Sequence, residues 1–411
     1  MKKYLFNTIR PAGILSVNGL LAILLSGWPA SAQIPGETNV NHWYNPTAPF
    51  DFSYRLSKKG DSLIVDFTVG NRRTVSLDSA RYVIASSYGV LESSNYQRIL
   101  PDHLVHSTNR SNQYAITVPV NPGRDRRYLF IFAYTNDIPY RYDVTLDREF
   151  PVTSLRLFNP DTGLPVTRKT IPAGTPIQIK NNNGGAGKLY AYRYRHDFST
   201  STPPMNKKVN VQKSITPDTL ITLNSSGPVD LGQQGMYFVQ EDTATLVGLT
   251  FHIYGSYFPR LVSAAALIEP LRYISTGQEM EELKAAEDPK KGLDNYWLNL
   301  TRSTERARMI IREYYRQVAY ANAYFTSFKT GWKTSQGMIA LLYGTPDQVY
   351  RNGNRERWVY DNKKNIVALE FQFVQVPNVL TPDYYELIRD ERYEELWYRN
   401  IDLWRKGRKE I

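Results

Sequence analysis

Phe50-Asp51-Phe52-Ser53-Tyr54-Arg55-Leu56 leads through Lys58-Lys59-Gly60-Asp61 into Ser62-Leu63-Ile64-Val65-Asp66-Phe67-Thr68-Val69. Apolar and polar residues alternate on both sides of a glycine-containing turn. That pattern predicts two antiparallel strands with one buried face. Further runs of the same texture follow at Arg81 to Ala85, Tyr114 to Val118, Tyr128 to Tyr134 and Tyr140 to Leu146. Asn121-Pro122-Gly123 and Asn136-Asp137 read as turns between them.

A second series runs through Leu155 to Phe158, Ile177 to Lys180, Leu189 to Tyr194, Leu220 to Leu223, Gly235 to Gln240 and Leu246 to Tyr254. Its loops are rich in Asn, Gly and Pro, and Asn181-Asn182-Asn183-Gly184-Gly185 reads as a surface turn. Two blocks of about 100 residues, each built of short strands, predict two all-β immunoglobulin-like sandwich domains, at 38–150 and 151–260.

Beyond Pro259 the texture changes. Gly277 to Lys291 is polar and strongly charged, with Glu279, Glu281, Glu282, Glu287 and Asp288 in a lysine-bearing stretch, and reads as a solvated helical face. Ala307, Ile310, Ile311, Tyr314, Val318, Ala321, Phe325 and Phe328 then recur at helical spacing, with Thr304 as the expected cap. Arg306, Arg308, Arg312 and Arg316 fall mostly off that stripe. Met338 to Tyr343 is a short continuous apolar run, read as a strand buried on both faces. Arg357 to Tyr360 and Ile366 to Val374 read as a hairpin across Asp361-Asn362-Lys363-Lys364. Thr381-Pro382-Asp383 looks like a helix start. A closing helix carries Tyr393, Leu396, Trp397, Ile401 and Trp404 on one side. Residues 266–411 thus predict an α+β domain of helix, antiparallel sheet and C-terminal helix.

The first 32 residues have the three parts of a secretory signal. Lys2, Lys3 and Arg10 are basic, Ile14 to Leu25 is mostly apolar, and Ala30-Ser31-Ala32 is a small-x-small site that places cleavage between Ala32 and Gln33. The apolar run is shorter than the roughly 20 residues a membrane span needs. The expectation is an exported chain of the periplasm or outer membrane surface, with no span after processing. The absence of cysteine excludes disulfides, thiol nucleophiles, thiolate metal sites and lipoprotein acylation. The formal charge is +11, and about +8 remains once Lys2, Lys3 and Arg10 are set aside. The balance favours anionic partners, an anionic glycan among them, but the positive charges are scattered and no basic stripe suits nucleic acid.

Gly331-Trp332-Lys333-Thr334-Ser335, with Gly337 after it, carries a resemblance. It is joined by Tyr314-Tyr315 and Val318-Ala319-Tyr320-Ala321-Asn322 upstream. Downstream come Tyr343-Gly344-Thr345-Pro346-Asp347, the strand Glu356-Arg357-Trp358-Val359-Tyr360, Tyr385-Glu386-Leu387, Trp397 and Trp404-Arg405-Lys406-Gly407. From roughly Leu267 onward the chain resembles the GWxTD family of exported proteins of Bacteroidota-type bacteria. Ser335 stands where that family usually has Asp. A hydroxyl replaces a carboxylate in a turn far better than in a catalytic base or a metal ligand, which favours a structural motif. On this reading Gly331 supplies a permissive backbone, Trp332 anchors the turn, and Thr334 and Ser335 bind loop amides.

No catalytic residue, cofactor site or metal site is assigned. The five histidines are His42, His103, His106, His196 and His252. His103 and His106 lie three apart in a loop-like stretch with no third ligand beside them. The expected function is non-enzymatic: binding of envelope or outer-membrane proteins, as scaffold or accessory of an envelope, secretion or motility assembly. The alternative is a glycan-binding or carbohydrate-active protein, which requires an aromatic platform beside paired carboxylates.

Overall fold

The computed structural model describes residues 36–409, apart from 73–76, 89–90, 92–95, 121–125, 148–150, 186, 196–197, 208–214, 226, 362–367 and 377. The expected signal segment, the Ala32/Gln33 site, the 121–123 turn, His196 and most of the 361–364 turn lie outside the described residues.

Two short elements precede the first hairpin: strand β1 (Thr38–Asn39) and a 3-10 turn at Asn41–Trp43. The first β unit holds β2 (Phe50–Lys59), β3 (Ser62–Asn71), β4 (Ser79–Ala85), β5 (Gln97–Arg98), β6 (Leu104–Ser107), β7 (Ser111–Pro119), β8 (Arg126–Thr135) and β9 (Ile138–Asp147). They form two four-stranded antiparallel sheets, ordered β2-β3-β7-β6 and β5-β4-β8-β9. Alternate residues of both sheets point into one core, with Phe50, Val65, Phe67 and Ile116 from one and Leu129, Ile131, Tyr142 and Val144 from the other. The β8–β9 turn uses Asn136 and Asp137, both at positive φ, the backbone a two-residue hairpin turn requires. His103 and His106, expected in a loop, end a 3-10 turn and sit in edge strand β6.

The second β unit holds β10 (Leu155–Phe158), β11 (Thr170–Pro172), β12 (Gln178–Asn181), β13 (Lys188–Tyr194), β14 (Thr219–Asn224), β15 (Gly235–Gln240) and β16 (Leu249–Tyr254). A β10-β12 pair faces a five-stranded sheet ordered β11-β16-β15-β13-β14, with β11 parallel to β16. Leu155, Ile179, Ala191, Tyr237 and Phe251 fill the space between them.

The C-terminal unit contains α1 (Ala264–Ile268), α2 (Gly277–Ala285), α3 (Pro289–Thr301), α4 (Thr304–Phe325), α5 (Ser335–Tyr343), β17 (Gln348–Asn352), β18 (Arg355–Tyr360), β19 (Leu369–Gln375), β20 (Tyr385–Leu387) and α6 (Glu394–Arg405). The sheet order is β1-β17-β18-β19-β20. Thr38 and Asn39, which the sequence reading groups with the first β unit, pair with Arg351 and Tyr350 of β17. Val40 just beyond is fully buried in the C-terminal core.

Four expectations are corrected here. Met338 to Tyr343 is not a strand but the body of α5. A continuous apolar run has no period by which to tell a buried strand from a helix buried all round. Here Thr334 decides, because its hydroxyl accepts from the Gly337 amide and starts a helix. Thr381-Pro382-Asp383 starts no helix. Its acid is bound by Tyr54 and Lys169, and the chain runs extended into β20. α4 is capped by Ser303 rather than Thr304, and ends before Phe328. Leu396, assigned to the inner face of α6, is exposed, while Trp397 and Trp404 are buried.

Candidate functional site

α4 brings Ala321, Asn322 and Phe325 to the place where the chain reverses into α5. Gly331 lies directly on that turn of helix. A Cβ there would stand 1.9 Å from the Ala321 carbonyl oxygen, so only glycine fits. The requirement is space, since the Gly331 backbone needs no positive φ. Gly337 is constrained likewise, at 1.9 Å from the Gly331 oxygen.

Hydrogen bonds then lock the turn. The Asn322 side chain accepts from the Trp332 amide at 3.2 Å and donates to the Pro259 carbonyl at 2.9 Å. The Thr326 hydroxyl donates to the Asn322 carbonyl and accepts from the Gly331 amide. Thr334 donates to the Gly331 carbonyl at 2.8 Å while capping α5. Trp332 is buried against Tyr273, whose hydroxyl donates to the Trp332 carbonyl at 3.1 Å.

Among the described residues Ser335 binds a carboxylate and a hydroxyl rather than the loop amide expected of it. It is fully buried, donates to Glu386 of β20 at 2.6 Å and lies 2.9 Å from the Ser201 hydroxyl. Arg389 donates to Ser201 at 2.9 Å and pairs with Glu386 at 3.3 Å. Lys329 lies nearby, almost buried, with its ammonium over the Phe328 and Tyr384 rings. Burial lowers its pKa, and Glu386 offsets part of the shift.

The remaining motif residues close the same core. Gly344, at φ +87°, ends α5, and its carbonyl accepts from the Tyr360 hydroxyl at 3.0 Å. The Tyr343 ring packs between Tyr360 and Phe371. Pro346 is buried, and the exposed Asp347 accepts the Asp361 amide at 2.7 Å. Trp358 is fully buried against Tyr44, Phe325 and Phe373.

A second polar cluster joins the units. Arg351 of β17, its side chain about 5% exposed, reaches Asp143 of β9 at 3.0 and 3.1 Å. It also forks onto Glu356, and its guanidinium lies 4.4 Å from the Trp43 ring centroid. Glu356 in turn accepts from Tyr44 (2.8 Å), Gln336 (2.8 Å) and Trp358 (3.0 Å). Burial alone would lower the Arg351 pKa, but Asp143 and Glu356 raise it well above the ordinary arginine value. Lys169 and Tyr54 both donate to Asp383, at 2.6 and 2.7 Å, and Arg156 pairs with buried Asp66. Sequence reasoning missed these contacts because most of the partners, such as Arg351 and Asp143 or Lys169 and Asp383, lie far apart in the chain and carry no local pattern.

Two small cavities flank the Lys169–Asp383 pair, at about 90 and 80 Å³. Each has room for a few waters, against roughly 300 Å³ or more for a typical ligand site. Among the described residues no group of three or more His, Asp or Glu side chains is placed to hold a metal ion. No helix there is long and apolar enough to cross a membrane.

Residues 235–406 match the family model of the GWxTD domain. The chain carries a GWxTD domain. No curated protein matches it. The match opens at Gly235, well before Leu267 where the sequence resemblance is placed, and takes in β15 and β16. The geometry gives a reason. His252 of β16 binds the Ser327 carbonyl and Tyr254 bonds to Thr330 at 3.0 Å, so these strands hold the loop that leads into the GWxTD motif. Ser335 stands at the position of the D in the family's name.

Proposed function

We propose that this GWxTD-domain protein is a non-enzymatic, exported protein of the cell envelope. It binds other proteins as a scaffold or accessory of an envelope, secretion or motility assembly. The observation that carries this reading is the inward orientation of the motif. Gly331, Trp332, Thr334, Ser335 and Gly337 are buried, and the motif's polar side chains meet partners from the same chain. Residues so placed support a structural role and leave recognition to the outer surface.

The architecture supports the same view. The sheets β2-β3-β7-β6 and β5-β4-β8-β9 follow the strand order A-B-E-D and C′-C-F-G of an immunoglobulin-like sandwich. The β10-β12 pair over β11-β16-β15-β13-β14 is a related arrangement with a parallel edge. Such modules present loops and edge strands to partners.

Affinity purification of the tagged protein from crosslinked envelopes, with mass spectrometry of the captured proteins, tests the reading. A reproducible set of outer-membrane or secretion components is expected. A chain that runs alone as a monomer with no reproducible partner would contradict it.

The glycan reading keeps one supporting observation. Trp43, Tyr44, Tyr54 and Tyr385 line the larger cavity beside Asp143 and Asp383. Both carboxylates are held in ion pairs, and the space is too small for a sugar ring with its shell of contacts. A screen of envelope glycans for binding and turnover decides this reading.

A further inference from the structure

We propose that the corner between α3 and α4 is a docking face for the surface of an anionic phospholipid bilayer. The sequence from Arg302 to Arg316 holds five arginines and two glutamates. Arg308 and Arg312 are exposed on the outer side of α4, and Arg302 is exposed at the end of α3. Among the described residues none of these three has an ion-pair partner. Glu313 is held by Arg316 and Gln317, which leaves it little negative field to offer.

The C-terminal turn adds to the face. A Cβ on Gly407 would lie 3.4 Å from Thr301 and 3.5 Å from Arg306, so the turn packs on this corner and brings the exposed Arg408 beside it.

Helix stability does not account for this placement. The N-terminal end of a helix carries partial positive charge and is stabilised by acids, yet the first two turns of α4 set one acid, Glu305, against Arg306 and Arg308. Cations there add to the dipole and strengthen a field that draws anions.

Two apolar side chains argue for a lipid surface over an acidic protein or polymer. Met309, 64% exposed, lies between Arg306 and Arg312 along α4, and Leu298, 40% exposed, lies one turn before Arg302. The face is built from the end of α3, the start of α4 and the turn at Gly407. Arginines at phosphate depth with an apolar residue beneath is the arrangement by which peripheral helices hold a bilayer interface.

The test is flotation of the chain from Gln33 onward, which contains every described residue. Vesicles of phosphatidylcholine mixed with phosphatidylglycerol are compared with phosphatidylcholine alone. Binding to the mixed vesicles only, weakened by added salt, is expected. R308A/R312A should weaken it about thirty-fold. M309S should weaken the fraction that survives in high salt, and R98A/R110A, on the first β unit, should change nothing.

Absence of binding, or equal binding by R308A/R312A, would overturn the proposal. Tighter binding to dextran sulfate than to the mixed vesicles would also overturn it, in favour of an acidic polymer. Because no protein partner enters this assay, its failure leaves the protein-binding reading standing.

Discussion

The motif turn and the Arg351 junction are both buried and polar, yet they are built in opposite ways. Around the motif the partners are mainly neutral: Asn322, Thr326, Thr334 and backbone groups, with Gly331 and Gly337 allowing close approach. At the junction a single guanidinium balances two carboxylates from different parts of the chain, Asp143 in the first β unit and Glu356 in the C-terminal sheet. The motif network joins neighbouring segments through neutral groups, reaching the second β unit at Ser201, whereas the junction network fastens the first β unit to the C-terminal sheet through charge. Neutral hydrogen bonds lose roughly 1 kcal/mol apiece when removed. A buried charge left alone loses several times that. The two regions should therefore differ in what breaks them: backbone space in the first, charge balance in the second.

The largest effect is expected from Gly331→Ala. Its methyl group would meet the Ala321 carbonyl, a backbone atom inside α4 that has no room to retreat. A loss of about 5 kcal/mol, seen as insoluble expression or a collapsed thermal transition, is expected. A G331A protein that melts like the parent would break the contrast.

Arg351→Met comes next, at about 3–5 kcal/mol in a denaturant titration, because Asp143 and Glu356 are left buried and unpaired. Asp143→Ala should be milder, since Arg351 keeps Glu356.

Acid should act on the junction. Burial lowers the His42 pKa to about 4, its bond to the Arg141 carbonyl opposes the shift, and the Arg351 charge adds to it. The unfolded imidazole titrates near 6.5. The neutral ring's contribution is therefore complete above about pH 6.5 and is lost as pH falls towards 4. Between pH 7 and 5 the loss should be about 1–2 kcal/mol, after allowing for a ring that is partly exposed. His42→Gln should flatten that slope, and an unchanged slope would remove His42 from the explanation.

Ser335→Asp sharpens the comparison by placing a charge in the mainly neutral network. A second carboxylate beside Glu386 should lower stability by about 1–2 kcal/mol, and adding Glu386→Gln should restore most of it. Thr334→Ala removes the α5 cap and the bond to the Gly331 carbonyl and should lower the unfolding free energy by about 1–2 kcal/mol.

How much was legible in the sequence follows the same division. The strands of both β units were readable because a half-buried strand alternates with period 2, as in Phe50 to Leu56. α4 was readable because Ala307, Ile310, Tyr314, Val318 and Ala321 recur with its period. α5 was misread because Met338 to Leu342 are apolar without exception, and a helix buried on all sides has no polar face to set a period. The role of Trp332 as an anchor was legible from its type. The partner of Ser335 was not, because Glu386 is brought near only by the sheet. Nor was the pairing of Thr38 and Asn39 with β17, since a two-residue strand carries no pattern.

Native-state hydrogen exchange of the whole chain tests most directly whether the GWxTD motif is core. The amides of Trp332, Thr334, Gly337 and Met338 are each bonded to Asn322, Gly331 or Thr334. They should exchange only with the slowest, globally unfolding class, together with those of β18. Fast exchange at these four positions, while β18 stays protected, would mean that the motif is a mobile loop and would contradict the account.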